Sequence, residues 1–319
     1  VGSKDDRKLM IKIAQMYYEQ NMTQSQIAEE LDIYRTTISR LLKNAREDGI
    51  VTIKINYDSD HDFTMEEKLK KRFGLKEAIV VPVEKKQTQD MKLTAVGQAC
   101  ARLLQRSIRD GDIIGFSWGS SLAKMVDTLD PEAKKDVICV PLVGGSSGRL
   151  ESRFHSNTIC YQAALKLGAK SLMFDFPAIV EKNETRDDIS RSRHFKEIAV
   201  LWDRLTVAVF GIGSMKLAEQ SNWHAFYGDE TVKELGDRRA VGDICSRFFD
   251  RAGNQVYTSL SDRTVTIDLN ALKKARVAIG VAESLKKVSA IIGALRGGFM
   301  NVLVTTTETA EQILKRTDP

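Results

Sequence analysis

Two groups of residues in this 319-residue chain have types and spacing that could do chemistry. The first is three Gly/Ser loops, Trp118-Gly-Ser-Ser121, Gly144-Gly-Ser-Ser147 and Gly211-Ile-Gly-Ser214, each following an apolar run that reads as a strand. Glycine lets backbone N–H groups approach an anion, and a following helix N-terminus adds partial positive charge. Ser120 and Ser121 add hydroxyl donors beside Gly119, and Gly144 and Gly145 open the second loop. A phosphate is the natural guest. No Gly-Lys-Ser/Thr sequence accompanies these loops, which argues against nucleoside triphosphate hydrolysis. The second group is Arg35, Thr36, Thr37, Ser39, Arg40 and Lys43, the outward residues of one short helix. Arg can fork onto guanine, and Thr or Ser can reach base edges or phosphate oxygens.

The segment that positions the second group runs from Thr23 to Leu42 and reads as two helices joined by a tight turn. Ile27, Leu31, Ile33, Ile38 and Leu41 fall where such a pair needs apolar contacts, and small Ala28 sits at the crossing. Thr23, with Gln24 after it, opens the first helix as an N-cap. Asp32 stands in the turn, a residue type that tolerates the left-handed backbone found there. The second helix is expected from about Arg35 to about Glu47, with Ile38, Leu41, Leu42 and Ala45 inward. Arg35, Arg40, Lys43 and Arg46 give it four cations before its first carboxylate. A supporting helix from about Asp6 to Glu19 supplies Ile11, Ile13, Ala14, Met16 and Tyr17. Ile50 to Asn56 alternates like a strand and could form a small wing. This is the pattern of a DNA-binding helix-turn-helix, and the polar stretch Asp58–Asp62 ends it. The expected division is a DNA-binding domain over 1–57 and a second domain over 58–319.

The elements that position the Gly/Ser loops alternate strand and helix. Strands are expected at Ala78–Val83, Asp112–Ser117, Val137–Val143, Ser171–Phe176, Thr206–Phe210, Arg276–Gly280 and Val302–Thr305. Helices are expected over Met91–Ile108, from Gly119-Ser-Ser121 onward, near Asn157–Leu167, over Leu285–Leu295 and from about Thr309. This predicts an α/β fold, a Rossmann-like doubly wound domain with a mostly parallel sheet covered on both faces. In such sheets ligands bind beyond the carboxyl ends of the strands.

Composition narrows the function classes. The net charge of +5 is modest, and residues 1–57 hold nine Lys/Arg against eight Asp/Glu, so positive charge is concentrated on one helix. A single copy should bind DNA weakly, and a homo-oligomer, dimer or tetramer, is the remedy. No stretch approaches the apolar run of a membrane span, and no signal peptide precedes the first helix, so a cytoplasmic protein is expected. Cys100, Cys139, Cys160 and Cys245 lack metal-ligand spacing and read as reduced structural thiols. No metal and no cofactor is expected.

Met22 to Leu31 with Ile38 to Leu42, the loop Trp118 to Leu122, Asn157 to Cys160, Gly242 to Asp250, and Lys287 to Gly298 followed by Val302 to Thr305 together resemble the SorC family of bacterial sugar-responsive transcription regulators. The resemblance covers nearly the whole chain. It implies an effector domain with the fold of sugar-phosphate isomerases and deaminases, a phosphorylated sugar as effector, and tetramers on operator DNA. It assigns Ser120 and Ser121 to the effector phosphate, Asp243 to sugar hydroxyls and Lys287 to the phosphate or an adjacent oxygen. It also places His155 where some relatives have a polar ligand contact. Taken alone, Asp243 reads rather as the cap of a helix it begins, and Lys287 as a solvated helix residue beside Lys286. Some relatives carry Lys or Arg before the Gly-Gly of the second loop named above, where Lys forms a Schiff base. Here Val143 stands in that place, which argues against an imine. The expectation is a transcriptional regulator of a carbohydrate-catabolism operon and not an enzyme. The alternative is a sugar-phosphate isomerase or deaminase fused to a DNA-binding unit, with Asp243 as base and Lys287 steadying an enediolate. That alternative lacks a second acid/base partner in the sequence.

Overall fold

The computed structural model describes residues 4–53, 63–84, 86–146, 151–215 and 227–317. The chain divides into two compact units, Val1–Asn56 and Tyr57–Pro319.

The first unit contains α1 (Lys4–Tyr18), α2 (Gln24–Leu31) and α3 (Arg35–Glu47). Ile13, Met16, Ile27, Ile38 and Leu42 form its centre, with Ala28, Leu31, Ile33 and Leu41 packed against them. Ile11, read from the sequence as a core contact, is instead 40% exposed, and Met10 is buried in its stead. The helix phase decides this, since Met10, Ile13 and Met16 lie three residues apart while Ile11 points off that face. Thr23 Oγ1 accepts the Gln26 N–H at 3.3 Å and Gln26 Oε1 accepts the Thr23 N–H at 2.9 Å. This reciprocal cap satisfies two orphan donors at the start of α2. Asp32 adopts φ 53°, ψ 46° and its N–H bonds the carbonyls of Ala28 and Glu29, closing α2 in a left-handed turn. Val51–Ile53 form no strand, and the remainder of the expected wing, 54–56, lies outside the described residues.

The second unit is built on a seven-stranded sheet in the order β1-β11-β10-β5-β2-β3-β4. These are Glu77–Val81, Val302–Thr306, Val277–Val281, Val207–Gly211, Ile113–Phe116, Ile138–Pro141 and Lys170–Ser171, all parallel. Alternate residues face opposite layers. Val207 and Val209 join one buried cluster with helices α5 (Gln89–Ser107), α6 (Ser120–Thr128) and α7 (Ser156–Leu167). Ala208 and Phe210 join the other, with α9 (Arg193–Asp203), α11 (Leu269–Lys274), α12 (Val288–Arg296) and α13 (Thr307–Arg316). Burial on both faces explains why the strands read as unbroken apolar runs.

Four features escape the sequence pattern. The expected strand 171–176 pairs only over Lys170–Ser171. Helices α4 (Phe63–Phe73), α8 (Asn183–Arg191) and α10 (Asp229–Asp237) were not anticipated, nor were α9 and α11. A second, antiparallel sheet joins β6 (Gly213–Ser214), β7 (Ala240–Ile244), β8 (Arg247–Asp250) and β9 (Gln255–Val256). Its strands are short and half polar, which hides their alternation. The helix after β10 begins as a single 3₁₀ turn over Leu285–Lys287 before α12 starts.

The chain runs outward from β2 through β3 to β4, then returns to place β5 on the other side of β2. The C-terminal ends of β2 and β5 therefore flank a topological switch point, where parallel sheets open a crevice.

Candidate functional site

A cavity of about 320 Å³ opens at that switch point. The loop after β2 contributes Trp118, Gly119, Ser120 and Ser121, and the loop after β5 contributes Gly211, Ile212, Gly213 and Ser214. Gly119 has φ 121°, a conformation that side-chain-bearing residues rarely adopt, and it turns the chain directly into α6. Its own N–H is spent on the Phe154 carbonyl at 3.1 Å. The first-turn N–H groups of α6 have no intrahelical acceptor, so the helix presents donors and positive potential at its start. Ser121 is buried at this point and Ser120 half-buried.

Asp243 enters from the antiparallel sheet. It lies on β7, in register with Gly213 of β6, and caps no helix. Its Oδ2 accepts the Ser246 N–H at 3.1 Å across the β7–β8 turn. Burial pushes its carboxyl up to about 6, against the opposing pull of the Ser246 N–H and of Lys287. Cys245 and Ser246, the two residues of that turn, both have positive φ (52° and 59°). Such a two-residue hairpin turn usually employs Asn or Gly. Non-glycine residues held there store strain, a feature that clusters at ligand sites. Tyr227 completes this wall, its hydroxyl 3.4 Å from Ser246 Oγ, with burial and the Asp243 charge raising its pKa well above the ordinary value.

Lys287 enters from the 3₁₀ turn that follows β10. That turn is fixed by Ser284, whose side chain accepts the Lys286 N–H at 3.2 Å, and by the Lys286 carbonyl accepting from Ser214 Oγ at 3.0 Å. Buried Glu283 stands near Lys287 as well, accepting from Gln89 Nε2 at 2.8 Å. Burial raises its pKa, opposed chiefly by Lys287.

The fold thus brings together Gly119, Ser120, Ser121, Asp243 and Lys287. It seats Gly144, Gly145 and His155 elsewhere. The Gly144 N–H bonds the Val265 carbonyl at 3.1 Å and the Gly145 N–H bonds the Phe176 carbonyl at 2.7 Å. A Cβ on Gly144 would meet the backbone of residues 176–178, so this loop needs glycine for close packing. His155 Nε2 lies 3.0 Å from Ser146 Oγ, and His155 is not among the residues that line the cavity, although its neighbour Phe154 is. Sequence reasoning missed Phe154, Tyr227 and Cys245 as lining residues, and named Ser214 only as the end of the third Gly/Ser loop. Only the third Gly/Ser loop gave a signal for Ser214; the others carry no local pattern.

In the first unit, Arg35, Thr36, Ser39, Arg40 and Lys43 are exposed along α3, and Thr37 is half-buried. Thr23 is exposed at the start of α2 and Gln24 half-buried. Lys43 pairs loosely with Glu47 at 3.6 Å, both exposed, and such a pair contributes little. All four cysteines are free and buried. Among the described residues no group of three or more His, Cys, Asp or Glu could hold a metal, and no helix is long and apolar enough to cross a membrane.

The family described as "Putative sugar-binding domain" matches residues 57–315, and "Sigma-70, region 4" matches residues 12–48. The sorbitol operon regulator of Klebsiella pneumoniae is 50% identical over 98% of this chain and 99% of its own length. The deoxyribonucleoside regulator of Bacillus subtilis is 32% identical over 98% of each. The crystal structure of the full-length sorbitol operon regulator SorC from Klebsiella pneumoniae superposes with a TM-score of 0.78, covering 98% of this chain and all of that one. These relatives are regulators, which sets the isomerase or deaminase alternative aside. The chain belongs to the SorC family of sugar-binding transcriptional regulators.

Proposed function

We propose that a phosphorylated sugar binds the cavity at the β2/β5 switch point and governs how the helix-turn-helix meets the operator of a carbohydrate-catabolism operon. The observation that carries this reading is the convergence of Ser120, Ser121, Asp243 and Lys287 on one cavity. The start of α6 and the Lys287 ammonium suit a phosphate, which helix N-termini and cations favour. Asp243, when ionised, only accepts hydrogen bonds, which suits sugar hydroxyls. The Gly144 and Gly145 N–H groups are already bonded to carbonyls, and Val143 supplies neither a cation nor an amine at its position, so a single phosphate held by Lys287 and the start of α6 is the expected guest.

Operator DNA is assigned to Thr23 and Gln24 at the start of α2 and to Arg35, Thr36, Thr37, Ser39, Arg40 and Lys43 on α3. Residues 1–57 serve as the DNA-binding domain and 58–319 as the effector and oligomerisation domain. A homo-oligomer, dimer or tetramer, acting in the cytoplasm supplies the several α3 helices that operator affinity requires. To change operator occupancy the effector must bind two conformations of the oligomer with different affinity.

The test is a thermal-shift screen of the full chain against phosphorylated sugars and polyols beside their unphosphorylated forms. A ligand that binds the native state raises the melting temperature. The expected result is a rise for a phosphorylated compound only, accompanied by a change in operator affinity. No shift with any phosphorylated compound would sink the reading.

A further inference from the structure

An aromatic ring stands bare where α3 begins. Tyr34 is 84% exposed, the highest value among the large apolar side chains of the described residues. Ile33 beside it packs against the core of the unit, so the chain sends one side chain inward and the next one out. Tyr34 is the N-cap of α3, with φ −59° and ψ 135°, and its side chain makes no capping bond. Ser, Thr, Asp or Asn at that position would accept a free N–H of the first turn. The preceding helix has such a cap, with Thr23 and Gln26 bonded reciprocally. Tyr34 therefore supplies neither burial nor a cap, and residues that break local rules without a structural return mark functional positions.

Its location says which function. In a helix-turn-helix the N-terminal residues of the second helix meet base edges in the major groove. Tyr34 directly precedes Arg35 and Thr36, both exposed. The cations of α3 suit phosphates and guanine, but none offers an apolar face. A thymine presents a C5-methyl group in the major groove, and apolar side chains read it by contact. We propose that Tyr34 is a specificity-determining residue of the DNA interface, its ring packing against a thymine methyl of the operator. This rests on the assignment of α3 to operator DNA.

The parent full-length chain selects its preferred duplex from a randomised library. Binding is then measured by fluorescence anisotropy at one fixed salt concentration, for the parent, Tyr34→Ala and Tyr34→Phe. The probes are the selected duplex, the same duplex with each thymine replaced in turn by uracil, which lacks the methyl, and a random duplex. Tyr34→Ala is expected to bind the selected duplex roughly tenfold or more weakly, in the range of one mismatched base pair, and to keep its affinity for random DNA. One uracil replacement should weaken the parent and have no further effect on Tyr34→Ala, the signature of a direct pair. Tyr34→Phe should bind as the parent does. Equal losses on selected and random DNA, a Tyr34→Phe defect as large as that of Tyr34→Ala, or no uracil position coupled to Tyr34 would overturn the proposal. So would a Tyr34→Ala change in oligomeric mass with unaltered DNA affinity, which would place the ring at a contact between copies. A parent chain that enriches no sequence would overturn the DNA assignment of α3 itself.

Discussion

The Asp243 carboxylate occupies the space that a side chain at Gly213 would need. The two residues pair across β6 and β7, and a Cβ on Gly213 would overlap Asp243 Oδ1. The absent side chain is thus what admits the acceptor to the cavity. Gly213→Ala should displace Asp243, with an overpacking cost of about 1–3 kcal/mol. The ligand-induced rise in melting temperature should shrink or vanish, while operator binding by the unliganded protein persists. An undiminished thermal shift would show that Asp243 does not hold the ligand.

Asp243 also sets a pH signature. Its folded-state pKa of about 6 lies above its ordinary value of 3.8, so between these values the native state holds more protons than the unfolded chain. Stability contributed by the neutral carboxyl is present at low pH and is lost as pH rises through about 6. The full shift corresponds to at most about 3 kcal/mol, and to less for a group that still faces the cavity. Asp243→Asn cannot ionise. Relative to the parent, it should therefore be more stable at pH 7.5 than at pH 4.5, as read by paired denaturation curves. A pH-independent difference would contradict the shift.

Lys287 and Ser121 are the groups assigned to the phosphate end. Removing a charge-assisted hydrogen bond costs about 1.5–3 kcal/mol. Lys287→Ala should lose affinity for a phosphorylated ligand by that amount, and Ser121→Ala by less. Isothermal titration with the compound found by thermal shift measures both. Neither change should alter operator affinity without ligand, and a full response in Lys287→Ala would mean the phosphate sits elsewhere.

Arg40 is exposed on α3 and belongs to the other unit. Arg40→Ala should weaken operator binding and flatten the plot of log affinity against log salt by about one unit for each phosphate no longer neutralised. The effector-induced thermal shift should be unchanged. A loss of operator affinity with an unaltered salt slope would move Arg40 from a phosphate role to a base-reading one.

Residues within one local stretch were legible because local forces place them. The Thr23 cap, the left-handed Asp32 and the inward Ile27 and Ile38 all lie inside one twenty-residue segment, where periodicity and capping decide the outcome. The apolar runs of β2, β5, β10 and β11 were likewise readable, since a strand buried on both faces needs only its own composition. Tyr34 was visible as a residue but not as an anomaly, because its exposure depends on which way Ile33 turns.

What the sequence by itself determined about this protein is the helix-turn-helix, the alternating α/β pattern and the three Gly/Ser loops. Which loops share a cavity was decided by tertiary structure alone. The return of the chain from β4 to β5 sets the Trp118–Ser121 and Gly211–Ser214 loops side by side, and leaves Gly144 and Gly145 with their N–H groups bonded to carbonyls. Asp243 reaches the same cavity only because β7 pairs with β6, across a separation in sequence that no local pattern spans. Strand order and pairing come from long-range packing, and side-chain periodicity carries no record of which strand lies next to which.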